Sequence, residues 1–210
     1  MKGVCVVRSI SKSTLQRLPI YLSFLKQHCD SEFVSATVIS KALSLNDVQV
    51  RKDLAAISSS GRPKVGYCRC TLILELENFL GYNDNENAVI IGVGNLGTAL
   101  LNYEGFEQYG LQVIAGFDID ESKIDEKRKI FHISKLKDLC KRLNIHIGII
   151  TVNVEQAQLC CDELVDAGIT AIWNFAPTHL NVPSYVHVQR ENMAASLAIL
   201  SRHIKDNKNN

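Results

Sequence analysis

Gly92, Gly94 and Gly97 follow the apolar run AVII at 88–91 and open a helical pattern in the stretch GVGNLGTALLNYEGF. A G-x-G-x-x-G run in that setting is suited to holding a pyrophosphate. The first glycine makes the tight turn, the second lets phosphates approach the backbone, and the third packs helix on strand. Val93, Asn95 and Leu96 complete the loop, and the amides that open the following helix favour negative charge. Asp118 stands at the end of LQVIAGFD, twenty-one residues past Gly97 (118 − 97). A carboxylate there accepts hydrogen bonds from an adenosine ribose and repels a 2′-phosphate, so NAD+ or NADH is favoured over the phosphorylated cofactors.

Two further stretches belong to the same expected crevice. GIITVN (148–153) and WNFAP (173–177) each end a strand pattern, and ligands of open parallel sheets sit beyond the carboxyl ends of strands. Thr151, Val152, Asn153, Asn174, Phe175 and Pro177 are therefore candidate cofactor contacts. A dehydrogenase would also need a proton donor and a substrate clamp facing the nicotinamide. His132, His146, His179 and His187 are the candidate donors, but none comes with an Arg or Lys arrangement that clamps a substrate, so no catalytic residue is assigned.

The elements that must position these residues alternate. Strands are predicted at 88–91, 111–117, 129–133, 146–152, 171–175 and 185–189, and helices between them at 96–103, 134–143 and 155–167. Strands alternating with helices predict an α/β, doubly wound parallel sheet. Gly81 and the polar NDNEN at 83–87 mark the boundary before it. The organisation read from the chain is a DNA-binding domain at 1–81, a nucleotide-binding domain at 82–190, and a helix and tail at 191–210. The final KDNKNN reads as disordered.

Upstream of the boundary the pattern is helical. Leu18, Tyr21, Leu22 and Leu25 mark a first helix at 15–25, which tolerates Pro19 only in its first turn. Ser35 caps a second helix at 36–43, and Asn46 a third from 47 to about 58. Together they make a helix-turn-helix, followed by the wing-like SSSGRPKVGY (58–67) and a linking helix at 71–80. With Val50 inward, steps of about 100° put Leu54 and Ile57 near the same direction and Lys52 opposite, with Val48 and Ala55 beside Lys52 and Arg51 on the flank. Small residues among cations suit a helix that enters the major groove and anchors to phosphates. Asn46, Val48, Gln49, Arg51 and Lys52, with Arg62 and Lys64 on the wing, are the candidate DNA contacts.

Charge agrees with that division. Residues 1–80 carry 11 Lys+Arg against 6 Asp+Glu, or +5, whereas 81–210 carry 12 against 16, or −4. The whole basic excess lies in the helical part, which points to a polyanion partner there. No apolar run approaches the roughly 20 residues that span a bilayer, and Arg8 interrupts the leading apolar stretch with no cleavage site after it. A cytoplasmic protein without membrane attachment is expected. The seven cysteines lack C-x2-C spacing and read as reduced structural thiols, and no metal site is expected.

In order along the chain, QRLPIYLSFL (16–25), VRKDL (50–54), VGY (65–67), GVGNLGTALLNYEGF (92–106), FDIDESKI (117–124), GIITV (148–152) and NFAPTHLNVP (174–183) resemble the Rex family of redox-sensing transcriptional repressors. The resemblance runs from about residue 10 to residue 204. It implies a winged-helix domain fused to a Rossmann domain, acting as a homodimer on an inverted-repeat operator in double-stranded DNA. Repression would be relieved when NADH rises relative to NAD+. It further implies a final helix swapped between subunits, for which Met193, Leu197, Leu200 and Ile204 supply an apolar stripe. By position, Tyr103 matches a tyrosine that senses the nicotinamide, and Arg17 an arginine near the domain junction. The family commonly has an aspartate at the start of the last helix. Asn192 stands there in this chain and cannot form an ion pair, while Glu191 is the adjacent carboxylate. Asn153 stands in place of the usual proline after TV, and AAISSSGRPK in place of a more aromatic, glycine-containing stretch.

Two competing readings remain at the level of sequence. A small NAD-dependent oxidoreductase would turn over NADH with a carbonyl substrate, and a nucleotide-gated protein-binding module would capture a protein and no duplex.

Overall fold

The computed structural model of the protein describes residues 10–208. The first nine residues, read above for a leader, and the last two of the polar tail lie outside the described residues. The chain separates into two compact units, one ending at Asp84 and the other beginning at Asn85.

The first unit contains α1 (Lys12–Gln27), β1 (Phe33–Val34), α2 (Ala36–Ala42), α3 (Asp47–Ile57), β2 (Tyr67–Cys68) and α4 (Arg69–Leu80). Its core joins Leu18, Tyr21, Leu22 and Leu25 of α1 to Ile39, Val50, Leu54, Leu72 and Leu76. Both turn-helix starts are capped as the sequence predicts: Ser35 Oγ accepts from the Val38 amide and Asn46 Oδ1 from the Gln49 amide. Pro19 is a correction, because it lies inside α1 rather than in its first turn. The buried stripe holds the helix through it. Leu15, whose carbonyl loses its helical donor, lies on the exposed side. The wing is short: Arg62 and Gly66 exchange backbone hydrogen bonds, and β2 returns antiparallel to β1.

The second unit contains β3 (Glu86–Ile91), α5 (Asn95–Leu101), β4 (Leu111–Asp118), β5 (Ile130–His132), α6 (Leu136–Leu143), β6 (Ile147–Ile150), α7 (Val154–Asp166), β7 (Ala171–Asn174), β8 (His187–Arg190) and α8 (Met193–Lys208). All six expected strands pair in parallel, in the order β5-β4-β3-β6-β7-β8. Residues alternate between faces of the sheet. Val89 and Ile91 join one core with Phe117, Ile150 and Leu164, and Ala88 and Ile90 the opposite one with Ile149. The strand order reverses between β3 and β6, which opens a crevice beyond their carboxyl ends.

Several expected boundaries move by a few residues, and two of the shifts bear on function. The helix after the glycine loop stops at Leu101, with Asn102 Nδ2 donating to the Thr98 carbonyl, so Tyr103 lies beyond it at the head of a 3-10 turn. The final helix runs to Lys208, through part of the tail that reads as disordered. Once its first turn has formed, a helix propagates at one hydrogen bond per residue. Among the described residues no helix is long and apolar enough to cross a membrane.

Candidate functional site

The crevice of the second unit is built on the glycine loop. Gly92 has φ +94°, a left-handed conformation, and a Cβ there would press into Val152 Cγ1. A Cβ on Gly97 would run into the Gly92 carbonyl oxygen, so the third glycine lets α5 lie on the turn. Around Gly94 there is nothing within 4 Å of such a Cβ. That space lies beside an exposed Asn95, and no side chain caps the first amides of α5. Gly94 therefore leaves a cradle that a pyrophosphate fits.

Several expected cofactor contacts are engaged in holding this loop. Asp118 is 7% exposed. Its Oδ2 accepts from the Val93 amide at 2.8 Å and from Lys123 Nζ at 2.9 Å, and its Oδ1 from the Asp120 amide at 3.0 Å. Burial pushes this carboxyl up, but the Asp120 amide, Lys123 and the Val93 amide outweigh it and hold Asp118 below the usual carboxylate range. Thr151 Oγ1 donates toward the Gly92 carbonyl at 2.6 Å. Asn153 caps α7 through the Gln156 amide. Asn174 is fully buried, with Nδ2 donating to the carbonyls of Ala176 and Thr178 and Oδ1 accepting from the Ala176 amide. These side chains shape the rim, while the expected contacts left exposed along it are Asn95, Asn153 and Pro177, with Leu96 half-buried.

Tyr103 and Phe175 are brought into one aromatic row. Tyr103 meets Phe106 edge-on at 4.9 Å between centroids, Phe106 meets Trp173 at 6.0 Å, and Trp173 meets Phe175 at 4.5 Å. Trp173 Nε1 donates to Glu191 Oε1 at 3.2 Å, so the row is tied to the residue that precedes Asn192. Asn192 itself caps α8, accepting from the Ala195 amide at 2.8 Å. Sequence reasoning missed Lys123, Phe106 and Trp173. All three stand inside the stretches named above, but only the fold brings them to their partners.

In the first unit, Val48, Gln49, Arg51 and Lys52 are exposed on α3, and Arg62 and Lys64 on the wing. Arg51, Arg62 and Lys64 line one groove of about 480 Å³ together with Ser35 and Thr37. Arg51 Nη2 donates to Asp47 Oδ2 at 2.7 Å, and Asp47 Oδ1 accepts from the Thr37 hydroxyl at 2.8 Å, which fixes the α2–α3 corner. Three cations around a groove between a helix and a wing can take up a phosphate backbone. Arg17 lies elsewhere, on α1, bound to Asp53 of α3. Asp53 is 2% exposed and accepts from Thr14, Arg17, Tyr21 and Gln49. On a helical wheel it falls on the flank of the Val50–Leu54 stripe, as Arg51 does on the other side, so periodicity alone does not separate the two.

The cysteines are free among the described residues. Burial pushes the thiols of Cys140, Cys160 and Cys161 up to about 11. The Cys68 thiol, just before α4, is instead lowered by the amide and hydroxyl of Thr71.

Comparison with known proteins matches residues 83–178 to the model of a CoA binding domain and residues 9–55 to that of a putative DNA-binding protein N-terminus. The redox-sensing transcriptional repressor Rex of Porphyromonas gingivalis is 40% identical over 201 residues, covering 93% of this chain and 92% of that protein. A crystal structure of RSP in complex with β-NAD+ and operator DNA superposes with a TM-score of 0.88 at 31% identity, over 96% of this chain and 95% of that one. RSP in complex with β-NADH superposes with a TM-score of 0.85 at 31% identity, over 96% and 97%.

Proposed function

The chain belongs to the Rex family of redox-sensing transcriptional repressors, and on that premise we propose that it binds operator DNA through α3 and the wing and is released when NADH occupies the glycine-loop crevice. The carrying observation is the open space at Gly94, beside a loop whose other two glycines are closely packed. The loop admits a dinucleotide, and Gly92, Val93, Gly94, Asn95, Leu96 and Gly97 hold it. Thr151, Val152, Asn153, Asn174, Phe175 and Pro177 form the rim, and Asp118 anchors the loop. Tyr103 and its aromatic row receive the nicotinamide end, and Arg17, Tyr103 and Asn192 belong to the machinery that couples cofactor state to DNA. Arg51, Lys52, Arg62 and Lys64 supply phosphate contacts, and Asn46, Val48 and Gln49 lie along the reading face.

The nucleotide is then a signal, not a reagent. A ligand moves such an equilibrium only by binding one arrangement better than the other, so NADH and NAD+ must differ in their affinity for the DNA-competent form. The protein works as a homodimer through α8, on an inverted-repeat operator, in the cytoplasm.

The test is a titration of the full chain with duplex DNA at fixed salt in NADH and in NAD+. NADH is expected to weaken DNA binding by about tenfold or more relative to NAD+, within the usual range of coupling energies. Equal affinity in the two cofactors overturns the sensor reading, and turnover of NADH with carbonyl substrates would favour an oxidoreductase instead.

A further inference from the structure

Gln49 stands on the exposed side of α3, but its amide is held. Its Nε2 donates to Asp53 Oδ1 at 2.9 Å, one helical turn further on. Asp53 is itself fixed by Arg17, through Nε at 2.7 Å and Nη2 at 3.0 Å, and by the Tyr21 hydroxyl at 2.8 Å. An ionised carboxylate only accepts hydrogen bonds. The amide of Gln49 must therefore turn its nitrogen toward Asp53, and its carbonyl oxygen away from it. What remains unused is Oε1 and one N–H, and among the described residues nothing else bonds to them.

That inventory selects among bases. In the major groove adenine presents the N6 amine as donor beside N7 as acceptor, and cytosine presents the N4 amine, whereas guanine N7 and O6 and thymine O4 only accept. An amide offering an acceptor and one donor matches adenine with both groups and each of the other bases with only one. Arg51 is partly occupied by Asp47, and Lys52 is a point charge suited to phosphate.

We propose that Gln49 is a base-reading side chain that selects adenine, and that Asp53 sets which way its amide faces. The proposal rests on the reading of α3 as the helix that enters the groove. Asp53 acts as a positioning residue and touches no DNA.

The test begins by selecting duplexes from a library randomised over roughly two helical turns, using the full chain in NAD+. In the selected duplex each adenine is then replaced in turn by purine, which lacks the 6-amine. Wild type is expected to lose about tenfold in affinity at one position per half-site, as for loss of a specific base contact. Gln49→Ala is expected to bind the adenine and purine duplexes alike, and its own selected profile to lose adenine at that position alone. An unchanged profile, or weakening that is uniform across all sequences, overturns the proposal while leaving the DNA-binding reading standing. Failure of wild type to select any duplex overturns that reading, and the proposal with it. For Asp53, the free protein is labelled with ¹⁵N in glutamine side chains, and the Gln49 amide pair is assigned by its absence in Gln49→Ala. Protons that exchange more slowly than those of exposed glutamines support the anchoring, and exchange as fast as theirs overturns it.

Discussion

Arg17 and Asp53, 36 positions apart, are joined by two N–H···O bonds, from Nε at 2.7 Å and Nη2 at 3.0 Å. The pair ties α3, which carries the exposed cations, to α1, which carries much of the core. Breaking a buried pair from one side costs more than the pair is worth, because it strands the other partners. Asp53→Ala leaves the buried Tyr21 hydroxyl without its acceptor, and a loss of about 3 kcal/mol is expected. Asp53→Asn keeps an acceptor and is expected to cost about half as much. Urea unfolding checks both through the midpoint, with an unchanged slope showing that stability alone has moved.

The same residue sets an acid limit. Burial pushes the Asp53 carboxyl up, but hydrogen bonds from Arg17, Tyr21, Gln49 and Thr14 outweigh it and hold it below the ordinary range. A depressed carboxyl contributes stability that is present above its unfolded value of about 3.9 and is lost as pH falls through the folded value. Stability of wild type is expected to fall faster than that of Asp53→Asn as pH drops below about 4. Parallel pH profiles for the two proteins would show that Asp53 is not the linked group.

At the alkaline end the partner is Tyr21. Burial and the Asp53 carboxylate push its hydroxyl up to about 12. A raised phenol contributes stability that is complete below its unfolded value of about 10 and is lost as pH rises through the folded one. Ultraviolet titration of folded protein is expected to show a late tyrosine near 12 that is missing in Tyr21→Phe. An identical curve in the variant would contradict it.

The glycines of the loop separate folding from binding. Gly94→Ala adds a methyl into open space at an ordinary φ, so the melting temperature is expected to hold while NADH affinity falls at least about tenfold, the methyl standing where phosphate approaches. Gly97→Ala drives the methyl against the Gly92 carbonyl, and an overpacking cost of about 1–3 kcal/mol is expected. Thermal unfolding with NADH titration by calorimetry distinguishes them. Equal loss of stability in both variants would mean that the space at Gly94 is structural.

Legibility from sequence followed periodicity and stereochemistry. The six strands, the caps Ser35 and Asn46 and the inward turn of Val50 and Leu54 follow from local pattern, because one face of each element must be buried. Asp53 was not legible in that way, since its burial depends on four donors gathered from α1 and α3, three of them more than 30 positions away. Asn174 and Thr151 show the same limit. Asn174 ends β7 and Thr151 directly follows β6, as a ligand contact should, yet their polar atoms complete the hydrogen bonding of the turns they sit in. Pro19 was misplaced because a proline rule for isolated helices ignores the stripe that packs this one.

Met193, Leu197, Leu200 and Ile204 are each more than half exposed on α8. Four large apolar residues recurring on one helix at spacings of 4, 3 and 4 form a continuous stripe. Water does not favour leaving such a stripe uncovered, and Ala194, Ala195 and Ala198 let a second surface approach closely. A second copy of the chain is the expected cover. Leu197→Asp with Leu200→Asp places two charges where desolvation would be needed, so the dimer is expected to weaken by roughly 3 kcal/mol or more, over a hundredfold in Kd. Sedimentation equilibrium measures it directly, with circular dichroism confirming that both units stay folded. A wild-type monomer, or a variant dimer of unchanged Kd, removes α8 from the interface.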